Sequence, residues 1–263
     1  MTTRYLLHTI QARPREWPDA ARELAEAAPE RLGPAGGALF GIWRSQIGRP
    51  RDEVTAITSW RDDVAADEAV AAAESWLAVQ APIQTHESRV MTPTLRPKDA
   101  TPPERQGNYA FRYFTTPQQN FEEVLALCEA AWPGFEAAYD SQVIGLWRIA
   151  DATEKGSIDT LLLTRRPDLA MWERSKLPAD AAEQEVRDKL SRRYDLCDAT
   201  WVVTTTLITA RDRADEARWA EWSCLTVLFR AARGQAHVMV CWRPRRRPKT
   251  KLMVTMTLRA ITV

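Results

Sequence analysis

Three histidines, His8, His86 and His237, are the only side chains in this 263-residue sequence that ordinarily titrate near neutrality. Four cysteines, Cys128, Cys197, Cys224 and Cys241, include no CxxC pair. A zinc site needs clustered Cys, His and acidic ligands, so no metal is expected. A disulfide framework has no support either, which points to reduced thiols and a cytoplasmic location. No GxGxxG, P-loop, GxSxG or HExxH motif is present. What stands out instead is tryptophan beside arginine: Trp43-Arg44, Trp60-Arg61 and Trp147-Arg148, with Arg112 and Trp76 nearby in pattern. Arginine is no general base at neutral pH. Its fork can hold a carboxylate or an enolate oxygen through two hydrogen bonds, and aromatic rings can wall an apolar pocket. The candidate ligand-binding set is therefore His8, Trp43, Arg44, Trp60, Arg61, Trp76, His86, Arg112, Trp147 and Arg148. The competing reading is structural: Trp43 and Trp147 as core, Arg44 and Arg148 as strand-edge charges. The acidic pairs Asp62-Asp63 and Glu122-Glu123 stand near helix starts, where they complement the dipole.

The elements that must position these residues occur twice. At an offset of 104, Tyr5 matches Tyr109, Pro29 matches Pro133, and Gly41-Ile42-Trp43-Arg44 matches Gly145-Leu146-Trp147-Arg148. Arg61 falls on Arg165 with no gap from the first strand to the third. Each copy reads as strand, helix, strand, strand, helix, strand. In the first, Tyr5–Ala12 is a strand with Leu6, His8 and Ile10 on one face. A helix carries Trp17, Ala20, Ala21, Leu24 and Ala27 at helical spacing, with Pro18 near its start. Leu39–Ile47 and Val54–Trp60 form a hairpin, Val64–Ala81 a helix that ends near His86, and Ser88–Leu95 the closing strand. The second copy has strands at Tyr109–Phe114, Val143–Ile149, Ile158–Thr164 and Trp201–Ile208. A Phe121–Trp132 helix follows the first of these, and a helical region from Leu169 is interrupted by Pro178. Arg96–Gln106, rich in proline and charge, reads as a linker.

A βαββαβ unit is the ferredoxin-like arrangement, an antiparallel sheet with both helices on one face. Leu39–Trp43 is apolar on both faces, so the bare face needs cover. The fold class is α+β: tandem ferredoxin-like units that pack sheet to sheet within one chain. The expected division is a first domain at 1–97, a linker at 98–106, a second domain at 107–210, and an extension at 211–263.

Composition is ordinary for a globular protein, at 45% hydrophobic and 27% charged, and excludes collagen-like or largely disordered chains. The net charge is only +1 and gives no argument for nucleic acid. No stretch has the roughly 18 to 20 apolar residues of a membrane helix, so no membrane partner is expected.

Gly41-Ile42-Trp43-Arg44-Ser45-Gln46-Ile47-Gly48, Trp60-Arg61-Asp62-Asp63 and Glu87-Ser88-Arg89-Val90-Met91-Thr92-Pro93 resemble the signatures of NIPSNAP-type domains. The match covers residues 4–97, and more weakly 107–210. The resemblance implies a dimeric α+β barrel built inside one chain, and the possibility of a homodimer. Its wider relatives include cofactor-free and haem-degrading monooxygenases and chlorite-dismutase-like haem proteins. Haem is the alternative to having no cofactor, with His86 ten residues after Trp76 and His8 on the first strand. The second copy has no histidine between Gly107 and Ala210, which excludes histidine-ligated haem there.

Residues 211–263 carry about eight excess positive charges, densest at Arg243-Pro244-Arg245-Arg246-Arg247-Pro248-Lys249, with Trp219, Trp222 and Trp242. Three readings stay open. They are added strands at 225–229, 237–242 and 252–263, a basic arm, or out-of-frame text from a GC-rich gene. No nucleic-acid motif accompanies the run, so nucleic acid is not the expected partner. The functional expectation is a module for a small hydrophobic ligand or for protein interaction. The alternative is a monooxygenase-like enzyme acting on a hydrophobic or aromatic substrate, and the sequence leaves open whether the chain is an enzyme.

Overall fold

A computed structural model describes residues 4–78, 81–150 and 156–213, and the backbone of 224–231 and 234–241. Two compact units result, Met1–Ala214 and Asp215–Val263. The first holds eight strands and five α-helices in the order β1 (Arg4–Ala12), α1 (Trp17–Leu32), β2 (Gly37–Ile47), β3 (Glu53–Trp60), α2 (Ala66–Ala78), β4 (Ile83–Pro93), β5 (Asn108–Pro117), α3 (Phe121–Tyr139), β6 (Gln142–Ile149), β7 (Ser157–Arg166), α4 (Leu169–Arg174), α5 (Ala181–Asp195) and β8 (Ala199–Leu207). In the second unit, β9 (Cys224–Ala231) and β10 (Gly234–Cys241) form an antiparallel hairpin. The first two strands expected in the extension fall on this hairpin. Residues 252–263, the basic run and its tryptophans lie outside the described residues.

The eight strands close into one barrel in the order β1-β3-β2-β8-β5-β7-β6-β4. The first four strands therefore lie as β4-β1-β3-β2 and the second four as β8-β5-β7-β6. The inner faces of the two sheets meet across the interior, as expected, with Tyr5 5.5 Å from Trp147 and Trp43 6.0 Å from Tyr109 between ring centres, and the halves also join edge to edge. At one seam Trp43 pairs with Leu207, and at the other Met91 pairs with Ile149. Closure satisfies the edge N–H and C=O groups that two stacked open sheets would leave unpaired.

Strand alternation divides the core in two. Tyr5, Leu7, Phe40, Trp43, Ile57, Tyr109, Phe111, Trp147, Leu161 and Leu163 cluster inside the barrel. The opposite faces meet the helices. α1 buries Trp17, Ala20, Ala21, Leu24, Ala28 and Leu32. α3 buries Phe121, Val124, Cys128, Trp132, Phe135 and Tyr139. Linker carbonyls bind inward tyrosines of both halves: the Tyr5 hydroxyl donates to Asp99 O at 3.0 Å and the Tyr109 hydroxyl to Arg105 O at 2.6 Å.

The repeated Gly-x-Trp-Arg motif now has a physical account. Trp43 and Trp147 fold back over the glycine two residues before them. A Cβ at Gly41 would lie 2.6 Å from the Trp43 ring, and one at Gly145 only 2.3 Å from the Trp147 ring. Each arginine points the other way and stacks on the first residue of its half's first helix. The Arg44 guanidinium lies 4.1 Å from the Trp17 ring centre and that of Arg148 lies 5.5 Å from Phe121.

Two sequence expectations are corrected. The ungapped offset fails at the third strand. Arg4 pairs with Trp60 but Asn108 pairs with Arg166, so the second hairpin holds two extra residues. Trp60 therefore matches Arg166, and Arg61 has no counterpart in Arg165. His86 sits inside β4, opposite Ile10, rather than after a helix. That strand buries only Met91 fully and alternates weakly, which hid its first half in the sequence.

Candidate functional site

In the first half, the layer between sheet and helices is filled. His8 on β1 and Trp76 on α2 are both fully buried, with ring centres 5.7 Å apart in an edge contact. A directional chain of hydrogen bonds runs through His8. The Trp60 indole N–H donates to Thr58 Oγ1 at 2.8 Å, and the Thr58 hydroxyl reaches His8 Nε2 at 3.0 Å. His8 Nδ1 lies 2.9 Å from Ser88 Oγ, whose hydroxyl donates to Glu74 Oε1 at 3.0 Å. His86 Nε2 meets the other Glu74 oxygen. Because Ser88 gives its proton to Glu74, His8 donates from Nδ1 and accepts at Nε2. Burial, and then the nearby His86, push the His8 pKa down to about 3, so it is neutral in the fold. Four predicted residues thus come together here, His8, Trp60, Trp76 and His86, as a satisfied buried network.

The same layer in the second half is not filled. A cavity of about 230 Å3 lies between the sheet and α3, α4 and α5. Its walls include Trp132, Phe135, Trp172 and Tyr194, with Arg112, Arg166 and Arg193 among them. Arg112 on β5 stands where β1 carries His8, and Arg166 stands where β3 carries Trp60. The broken helix opens the space. Asp168 caps α4 by accepting from Met171 N at 2.7 Å, and Asp180 caps α5 by accepting from Glu183 N at 2.8 Å. Pro178 lies in the corner between them. Glu183 locks that corner through Arg174 at 2.7 Å, the Ala179 amide at 2.8 Å and the Tyr139 hydroxyl at 3.3 Å. Arg174, and then the Ala179 amide, hold the Glu183 carboxyl down at about 2.

Three of the four arginines that line the cavity lean on aromatic faces. Arg112 lies 5.4 Å from the Tyr194 ring centre, Arg166 is 4.5 Å from Trp172, and Arg193 is 4.7 Å from Phe114. Burial, and then the like charge of Arg112, lower the Arg166 pKa to about 10. Burial, with repulsion from Arg193, also lowers that of Arg112. Arg166 remains protonated at neutral pH, and the layer is electropositive.

Other candidates lie elsewhere. Trp43 and Trp147 are inside the barrel, Arg44 and Arg148 stack on helix starts, and exposed Arg61 pairs with Asp63 at 3.0 Å. Of the ten, only Arg112 reaches the cavity. Arg166, Arg193, Trp172 and Tyr194 were missed. Their signal was the loss of the filling Trp60 at the matching strand end, concealed by the two-residue insertion.

Among the described residues, no group of three His, Cys, Asp or Glu could hold a metal, and no helix is long and apolar enough to cross a membrane. Haem does not fit the cavity. Among the described residues no histidine, cysteine or methionine lines it, its guanidiniums offer iron no lone pair, and its tyrosines Tyr139 and Tyr194 are bonded to Glu183 and Arg193. The first half's histidines are engaged in its own network.

No protein-family profile matches the chain, and no curated protein matches it in sequence. Solved structures do match its fold. One is a candidate chlorite dismutase, 17% identical, with a TM-score of 0.52 over 81% of this chain and 97% of that one. Another is a cyanide-bound variant of the chlorite dismutase of Candidatus Nitrospira defluvii, 10% identical, with a TM-score of 0.51 over 78% and 90%. A third is an anthrone oxidase-like protein, 14% identical, with a TM-score of 0.49 over 78% and 91%. At these identities the likeness is one of fold. The chain has a mixed α+β fold similar to that of dimeric α+β barrel proteins.

Proposed function

We propose that the chain is a small-molecule-binding protein of monooxygenase-like type, with the second-half cavity as its site. The supporting observation is the contrast between halves: the space filled by Trp60, Trp76 and the His8 network in one half is an aromatic-walled cavity in the other. A cavity of roughly 150 Å3 already admits benzene, so this one suits a single substituted ring. Arg112 and Arg166 would orient an acidic or enolisable group and favour its anion, the form of a phenol or enol that reacts with dioxygen. They donate and do not abstract protons, so the chain's part is to bind and to stabilise charge.

The matched Trp–Gly and Arg–aromatic contacts support reading 1–97 and 107–210 as two copies of one ferredoxin-like, NIPSNAP-type unit joined by 98–106.

Saturation-transfer NMR with benzamide tests the site. Signal transfer to the ring is expected in the natural protein and should vanish in Leu190→Trp, which fills the cavity from α5. Equal transfer in Leu190→Trp would sink this assignment. Oxygen uptake with a dihydroxyaromatic compound, again compared with Leu190→Trp, tests the monooxygenase part.

A further inference from the structure

We infer that the second-half cavity takes an aromatic carboxylate, its carboxylate held among Arg112, Arg166 and Arg193. The inference rests on the reading of that cavity as the ligand site and names what enters it.

Charge balance is the first argument. Buried charges in folded proteins are ordinarily paired. Among the described residues no carboxylate forms an ion pair with any of these three arginines, and the like charge of a neighbour in the cluster weighs on Arg112 and on Arg166. Acids are not scarce nearby. Arg174 pairs with Glu183, Arg192 with Glu123, and Lys189 with Glu185, all on the same helical layer. Glu183 and Glu185 of α5 are taken up by these pairs, while Arg112, Arg166 and Arg193 line the cavity.

The second argument is unmet hydrogen bonding. Arg193 is 3% exposed, yet its Nε has no acceptor among the described residues, and the buried Nε of Arg166 has none either. Arg193 Nη1 donates to a weak acceptor, Cys128 Sγ at 3.4 Å, and its other side-chain partner is the neutral Tyr194 hydroxyl. A buried donor left without an acceptor is costly, more so when charged. A planar carboxylate accepts from guanidinium forks in pairs, and its charge offsets theirs.

The third argument is shape. Trp132, Phe135 and Trp172 line the rest of the cavity and suit a flat apolar body. A simple inorganic anion would leave those walls uncovered.

The test compares benzoate, benzamide and inorganic phosphate by calorimetric titration of the full chain. Benzoate and benzamide share a shape and differ in charge. Benzoate is expected to bind at least about tenfold more tightly than benzamide, as charge-assisted forked bonding requires. Arg166→Gln should bring the ratio close to one while benzamide still binds. Arg193→Gln should do the same. If that variant fails to fold, the more exposed Arg166 carries the test, with a second readout: benzoate should raise the Tm of the natural protein but not that of Arg166→Gln. Equal binding of benzoate and benzamide, or a preference that survives Arg166→Gln, overturns the inference and leaves the cavity assignment standing. Phosphate binding more tightly than benzoate also overturns it, by removing the ring. Failure of both aromatic probes overturns the cavity assignment and this inference together.

Discussion

The outer layer of the first half holds three tryptophans, Trp17, Trp60 and Trp76, and a neutral, fully bonded histidine. The matching layer of the second half holds guanidiniums around an opening. On the barrel side the halves are alike: Tyr5 and Tyr109 both reach linker carbonyls, and Trp43 and Trp147 both cover a glycine. The reason is geometric. Both halves share one interior, so a change of volume on either inner face is felt by the other. Each outer face meets only its own helices and is free to diverge. One half can therefore serve as packing while the other keeps a site.

The comparison can be broken at its common part first. Gly145→Ala would drive a Cβ into the Trp147 ring, and Gly41→Ala one into the Trp43 ring. Each should cost about 3 kcal/mol by overpacking, read from urea unfolding. A large loss at one glycine and none at the other would deny the halves an equivalent inner face.

Next come the differing positions. His8→Leu leaves Thr58 and Ser88 each short of a buried partner and should cost about 2 kcal/mol. It should also alter the pH profile. His8 stays neutral in the fold down to about pH 3, while an unfolded chain takes up the proton below its ordinary 6.5. Stability should thus fall as pH drops from 6.5 towards 3, with a His8 contribution of up to about 1.4 kcal/mol per pH unit. In His8→Leu that contribution should be gone. An unchanged slope would show that His8 is charged or solvated in the fold.

Arg112→Met, at the position matching His8, should respond with the opposite sign. Removing an uncompensated charge from the ligand-free cavity should raise stability by about 1 kcal/mol. A loss of similar size would make Arg112 as structural as His8 and erase the contrast.

Much of the frame was legible in the residues. The offset between Gly41-Ile42-Trp43-Arg44 and Gly145-Leu146-Trp147-Arg148 located the second strands, and alternation put Trp43 and Arg44 on opposite faces. Which face met the helices was not legible, because tryptophan suits either side. β4 was misplaced at its start because a strand that buries one residue fully carries little hydrophobic period. The cavity was largely hidden. Arg166 ends one strand and Arg193 lies on a helix far along the chain, so only tertiary packing brings them beside Arg112. An arginine with a carboxylate partner and one without look the same in a sequence.

The two seams of the barrel also differ in how far apart in the chain their partners lie. The β4–β6 seam joins Met91 to Ile149, whereas at the β2–β8 seam the Ile42 amide donates to Thr209 Oγ1 across 167 residues at 3.3 Å. Loop-closure entropy makes the longer closure dearer by roughly 1 kcal/mol. The barrel should therefore assemble in order, with β4–β6 formed early and β2–β8 last. Pulse-labelled hydrogen exchange during refolding would show amides from Trp43 to Ile47 among the last to gain protection. Until that final seam forms, β2 and β8 each present an open strand edge, and this half-closed barrel is the state most exposed to pairing with another copy.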